Sequence, residues 1–178
     1  MMLAHTKDMK AFAVAVSITS LVRARFDTMP NPVSWQYSGL RWVWIAFVVI
    51  LLDQLTKQWA LASLAPYEPV AIMPMFNIML AFNPGAAFSF LGDQDGWQRW
   101  FFIALAWGVS LALVIWLSKT ELTQRRLILG LTLVLGGAIG NVIDRMVYHH
   151  VVDFLDFYWG VWHYPTFNVA DIAISVGA

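Results

Sequence analysis

The sequence predicts an all-α polytopic membrane protein of four transmembrane helices, the fourth incomplete, with an outer, periplasmic loop region that has room for short strands. Three observations predict it. The 178 residues are 60% hydrophobic and only 12% charged, where soluble domains carry about 25% charge, and mean hydropathy is +0.64. Uncharged runs approach the length of about 20 residues that a bilayer crossing needs. Tryptophans stand at the ends of those runs (Trp42, Trp44, Trp59, Trp97, Trp100, Trp116), as in the aromatic belts of a membrane interface. Formal net charge is zero, so no basic field recruits nucleic acid. The absence of cysteine excludes disulfides, thiolate catalysis and thiolate metal sites.

Residues 1–40 read as a lead segment and 41–178 as the membrane domain. Within the lead, "AFAVAVSITSLV" (11–22) lies between Lys7 and Lys10 on one side and Arg23 and Arg25 on the other. It is too short to span and lacks a convincing signal-peptide cleavage site. Either it rests on the membrane surface, or translation starts at Met29 and residues 1–28 are not native. The first span runs from Trp42 to about Ala60, interrupted by Asp53 and Lys57. Trp100–Leu117 and Leu127–Ile143 carry no charge and make the second and third. A fourth opens near Phe167, in "FNVADIAISVGA", with about half the residues a crossing requires.

Loop charge orients these spans. The connection 118–126 holds Lys119, Arg125 and Arg126, and Arg41 precedes the first span. The long connection 61–99 has only Arg99 against Glu68, Asp93 and Asp95, and 148–166 has no lysine or arginine. Basic loops stay cytoplasmic. Both termini are therefore expected inside, with the loops around Tyr67 and Tyr158 outside.

At a rise of about 1.5 Å per residue, Asp53, Asp144, Asp153 and Asp171 converge near the outer interface. Carboxylates inside or beside membrane helices cost several kcal/mol when unpartnered, so four at one level predict a site. Simpler roles are open to each. Asp53 orients Lys57, its i+4 neighbour; Asp144 makes an interfacial cluster with Arg145 and Asn141; Asp153 and Asp156, taken alone, are solvated loop acids. Asp171, with Asn168 three residues earlier on the same helical face, has no such exit. Gly136 and Gly140 stand at GxxxG spacing, which allows close helix packing. "FNPGAAFSF" (82–90) predicts a tight turn at Asn83, Pro84 and Gly85.

Five blocks in order, "DQLTK" (53–57), "NPGAAFSF" (83–90), "GNVIDR" (140–145), "VVDF" (151–154) and "FNVAD" (167–171), make residues 41–178 resemble the lipoprotein signal peptidases, or signal peptidase II. That resemblance implies an aspartyl endopeptidase of the bacterial inner membrane, active near the periplasmic face. It implies prolipoprotein substrates, cut just before a cysteine that carries a diacylglyceryl group, with membrane lipid as the surrounding partner. By motif, Asp153 and Asp171 become the catalytic pair. Asn83, Gly85, Asn141, Arg145, Asn168 and Ala170 surround the substrate, and Asp53, Lys57 and Asp144 support. No metal or cofactor is required, because two adjacent carboxyls share a proton and act as base and acid. The alternatives are a small transporter or ion pathway lined by the four aspartates, a non-catalytic assembly factor, and divalent metal binding by the acids with His149 and His150. Serine chemistry lacks a base near Ser89, and no HExxH is present.

Overall fold

The computed structural model describes residues 34–85 and 97–178. Its order is helix α1 (Val43–Ser63), strands β1 (Val70–Met73) and β2 (Phe76–Asn83), helices α2 (Trp97–Lys119) and α3 (Arg125–Val147), strands β3 (Val151–Trp159) and β4 (Trp162–His163), and helix α4 (Val169–Gly177). Three helical stretches, Gly39–Ser63, Arg99–Lys119 and Arg125–Val147, are long and apolar enough to cross a membrane. Each extends beyond the uncharged run that predicts it. Helical geometry does not stop at the first arginine or lysine, because long basic side chains reach water from a helix end.

α3 is the central helix, with α1, α2 and α4 packed against it. Gly136 permits the contact with α1: a Cβ there would lie 2.8 Å from the Ala46 carbonyl oxygen. Gly137 does the same for α4, where a Cβ would collide with the Ala170 carbonyl. Small residues bring helices close where hydrophobicity alone cannot drive association. At one end, Ala46, Leu113, Leu117, Ile128, Leu131 and Leu135 form a buried cluster. The other faces of α1 and α2 expose Phe47, Leu51, Leu55, Leu105, Leu111 and Ile115, a surface that suits lipid and would be a liability in water.

The turn 120–124 folds against the start of the described chain. Gly39 N–H donates to Thr120 O at 2.8 Å, and Leu122 N–H to Tyr37 O at 3.1 Å. Arg41, Lys119, Arg125 and Arg126 are therefore collected at one end of the helices. The opposite end carries a four-stranded antiparallel sheet in the order β1-β2-β3-β4. This sheet corrects the all-α label: the described strands of the loop region form an ordered layer. Every backbone N–H and C=O near hydrocarbon needs a partner, and strand pairing supplies those partners between the helices. Ala60, Leu80, Val152 and Phe154 seal the underside against α1. α4, nine residues long, is shorter than a crossing.

Candidate active site

The site lies where the sheet meets the outer ends of α1 and α3 and the start of α4. Two carboxylate pairs meet there, joined by asparagines.

The inner pair is built on Lys57, which is fully buried. Its Nζ lies 2.8 Å from Asp53 Oδ2, the i+4 neighbour on α1, and 2.7 Å from Asp144 Oδ2 on α3; all three side chains have zero exposure. A buried ion group survives only if its remaining atoms are satisfied. Here they are. Asp53 Oδ1 accepts Ala170 N–H at 2.9 Å, the first turn of α4. Asp144 Oδ2 accepts Val152 N–H at 3.0 Å, at the start of β3. Gln54 Nε2 donates to Asp144 Oδ1 at 2.9 Å and Asp53 Oδ2 at 3.2 Å. One lysine thus ties two helices to the strand and the helix that carry the outer pair. Of the cluster expected for Asp144, Arg145 and Asn141, the Asp144–Arg145 ion pair does not form, because successive helical residues point in different directions, while Arg145 Nη1 donates to Asn141 O at 3.3 Å. Arg145 also donates from Nη2 to Gly85 O at 2.8 Å and lies over the Phe102 ring.

The outer pair is Asp153 on β3 and Asp171 on α4. Asn168 caps α4: its side chain accepts Asp171 N–H at 2.9 Å, while Asp171 Oδ2 accepts Asn168 N–H at 3.2 Å. That reciprocal box fixes the entry of the helix and the aim of Asp171. The Asn168 Nδ2 then donates to Asp153 Oδ1 at 2.7 Å. Asn141 Nδ2 donates to Asp171 Oδ1 at 2.8 Å, and its Oδ1 accepts Lys57 Nζ at 3.0 Å and Asn168 Nδ2 at 3.2 Å. Asn83 Nδ2 reaches Asp153 Oδ2 at 3.3 Å, with Gly85 N–H closing the turn onto Asn83 Oδ1 at 3.0 Å. Burial and the neighbouring Asp171 raise the Asp153 carboxyl from its ordinary value to about 7, since charging it costs desolvation and like-charge repulsion.

A cavity of about 270 Å³ opens onto Asp171, lined also by Asn83, Asn141, Arg145, Ile174 and the segment Tyr164–Phe167, among others. Asp153, 1% exposed, sits behind Asn83. All eleven residues expected at the site are thus brought to one region: Asp53, Lys57, Asn83, Gly85, Asn141, Asp144, Arg145, Asp153, Asn168, Ala170 and Asp171. Ala86–Phe90, the rest of the turn block, lie outside the described residues, as does Ser89 with them. Sequence reasoning missed three things. Gln54, within "DQLTK", was signalled only by its position between two conspicuous charges. The Tyr164–Phe167 wall has no charged residue to mark it. Asp156, expected in solvent, is fully buried against Asn77 and His163. Among the described residues, no three His, Asp or Glu side chains are grouped as a metal site.

A family model described as Signal peptidase (SPase) II matches residues 45–178. The chain is 57% identical over 145 residues to a lipoprotein signal peptidase of Shewanella amazonensis, covering 82% of this chain and 86% of that one. A lipoprotein signal peptidase of Shewanella piezotolerans is 54% identical over 147 residues, 83% and 86% of the two chains. A solved bacterial membrane enzyme, determined by the in meso method at 2.3 Å, aligns with TM-score 0.69 at 28% identity, over 84% of this chain and 87% of its own. The five motif blocks, the three long apolar helices and these likenesses agree: the chain belongs to the signal peptidase II family, multi-pass membrane proteases that remove signal peptides from prolipoproteins.

Proposed function

We propose that the protein is an aspartic endopeptidase that cuts diacylglyceryl-modified prolipoproteins just before the lipidated cysteine, with Asp153 and Asp171 as the catalytic pair. The observation that carries this reading is the shared support of the two carboxyls. Asn168 and Asn141, bonded to each other, link Asp153 on a strand to Asp171 on a helix beside the cavity. Two carboxyls this closely linked divide one proton.

Asp153, raised to about 7, is the member that keeps the proton. Asp171, at the N-terminus of α4 with Asn141 and Asn168 N–H groups donating to it, is the member that accepts one from water. That water attacks the scissile carbonyl carbon while Asp153 donates to the carbonyl oxygen. Proton return from Asp171 to the amide nitrogen then releases the two fragments. Arg145 and Asn83, on the cavity wall, are donors for the extended substrate backbone, whose peptide groups need partners at this depth. Asp53, Lys57 and Asp144 hold the frame and do not touch substrate.

The basic end of the helices is the cytoplasmic one, which sets the aspartates at the periplasmic face of the inner membrane. α4 is a fourth membrane-embedded helix, whose exposed Ile172 and Val176 suit a lipid surrounding. Residues 41–178 form the peptidase domain, and 1–28 are dispensable for it. The test is cleavage by the detergent-purified protein of a prolipoprotein with and without its diacylglyceryl group, each with and without EDTA. Cleavage of the lipidated form alone, unaffected by chelator, is expected. Loss of activity on chelation, or equal cleavage of both forms, would overturn the reading.

A further inference from the structure

Among the described residues, Asp156 is the one fully buried carboxylate that the mechanism leaves unused. It lies three residues beyond Asp153 on β3, so its side chain leaves the opposite face of the strand. No described lysine or arginine meets it. Asn77 Nδ2 on β2, its cross-strand neighbour, donates to Oδ2 at 2.9 Å. His163 Nδ1 on β4 lies 2.8 Å from Oδ1, with its ring stacked on Tyr158. The His163 side chain is 47% exposed.

What His163 holds is significant. The four residues that follow it, Tyr164–Phe167, form one wall of the cavity. Tyr164 N–H donates to Phe157 O at 2.8 Å, and Phe167 and Leu155 exchange backbone bonds at 2.9 and 3.1 Å. Asn168 comes next. The short strand β4 is therefore the far anchor of the wall, and Asn168 is the near one. Near Asn168 the wall is fixed by the aspartate network; at the far end the Asp156–His163 pair adds a side-chain contact to the Tyr164–Phe157 backbone bond and the Trp162–Tyr164 ring contact. A half-exposed histidine on a buried carboxylate is a poor way to add stability, since apolar packing serves as well or better. It is a good way to fix one geometry.

We infer that Asp156, Asn77 and His163 form a clasp that positions the Tyr164–Phe167 wall for prolipoprotein binding, making His163 a positioning residue for substrate affinity. The inference rests on the reading of the cavity as the substrate site. Releasing the clasp loosens the far end of the wall, still tethered by its backbone bonds, and leaves Asp153 and Asp171 in place, because those are held by Asn168 and Asn141. The effect should therefore fall on KM and spare kcat.

The experiment measures kcat and KM for a diacylglyceryl prolipoprotein, in one detergent, with His163→Ala, His163→Phe, His163→Asn and Asp153→Asn. His163→Phe keeps the stack on Tyr158 and removes the donor, so it tests the clasp even if the alanine variant fails to fold. KM should rise about tenfold in His163→Ala and His163→Phe with kcat within about twofold, a scale typical of a displaced binding wall. His163→Asn, which restores a donor near Nδ1, should recover most of the loss. An unchanged KM in His163→Phe, a fall confined to kcat, or no recovery with asparagine would overturn the clasp. An active Asp153→Asn would sink the catalytic assignment instead and leave the KM comparison readable.

Discussion

Removing the Lys57 ammonium would leave Asp53 and Asp144 facing one another at zero exposure. Lys57→Met should therefore cost about 3 to 5 kcal/mol, the usual penalty for orphaning buried charge. Asp144→Asn should cost less, because Lys57 keeps Asp53 and the cluster loses net charge. Thermal unfolding of the two variants in one detergent checks the order; equal melting temperatures would contradict it. A second residue-scale expectation follows from Asp153. Its carboxyl is raised from the ordinary range to about 7, so its stabilising contribution is complete below about pH 4 and is lost as pH rises through 7. In the proposed mechanism the same deprotonation removes the general acid. Cleavage measured from about pH 5 to about pH 9 should show kcat/KM falling on the alkaline side near 7; a rate still rising at pH 9 would contradict it. These charges were legible in the sequence because carboxylates are conspicuous in so apolar a chain. Their partners were less so. Asp144 stands next to Arg145 in the chain but pairs with Lys57 on another helix, and Asp156 looked solvated because nothing local marks His163 as its partner.

At the scale of elements, the proposed role of Asp171 makes activity depend on how closely α4 approaches α3. Gly137 faces the Ala170 carbonyl with no room for a Cβ, and Ala170 N–H is the group bound by Asp53. Gly137→Ala should push the first turn of α4 outward and carry Asp171 with it. Overpacking of this kind costs about 1 to 3 kcal/mol, and cleavage should fall about tenfold or more, since the reaction tolerates little misplacement. A Cβ added at Gly108 on α2 would meet nothing within 4 Å, so Gly108→Ala should leave cleavage intact and serves as the control. Equal effects of the two substitutions on cleavage rate would refute the packing argument. The helices were readable from uncharged runs, and the GxxxG pair from spacing. The sheet was not, because β1 and β2 lie within a long connection that shows no strict alternation: buried positions in β2 are Asn77, Leu80 and Ala81. The register shift between Ile78 and Ala81 breaks the period that would have revealed it.

For the molecule as a whole, Arg41, Lys119, Arg125 and Arg126 at one end and the sheet at the other give the chain a definite direction across the bilayer. A phosphatase fused after Thr120 should be inactive and one fused after Val161 active; the reverse pattern would invert the topology and move the aspartates to the wrong face. The central claim is that Asp153 and Asp171 act as one unit. The measurement that tests it most directly is the cleavage rate of a diacylglyceryl prolipoprotein by Asp153→Asn, Asp171→Asn and the double variant, with Asp156→Asn as reference. At saturating substrate each single change should abolish cleavage with the protein still folded and inserted, the double should be scarcely worse than either single, and Asp156→Asn, whose effect falls on KM, should keep its turnover. Substantial cleavage by Asp153→Asn or Asp171→Asn would contradict the account.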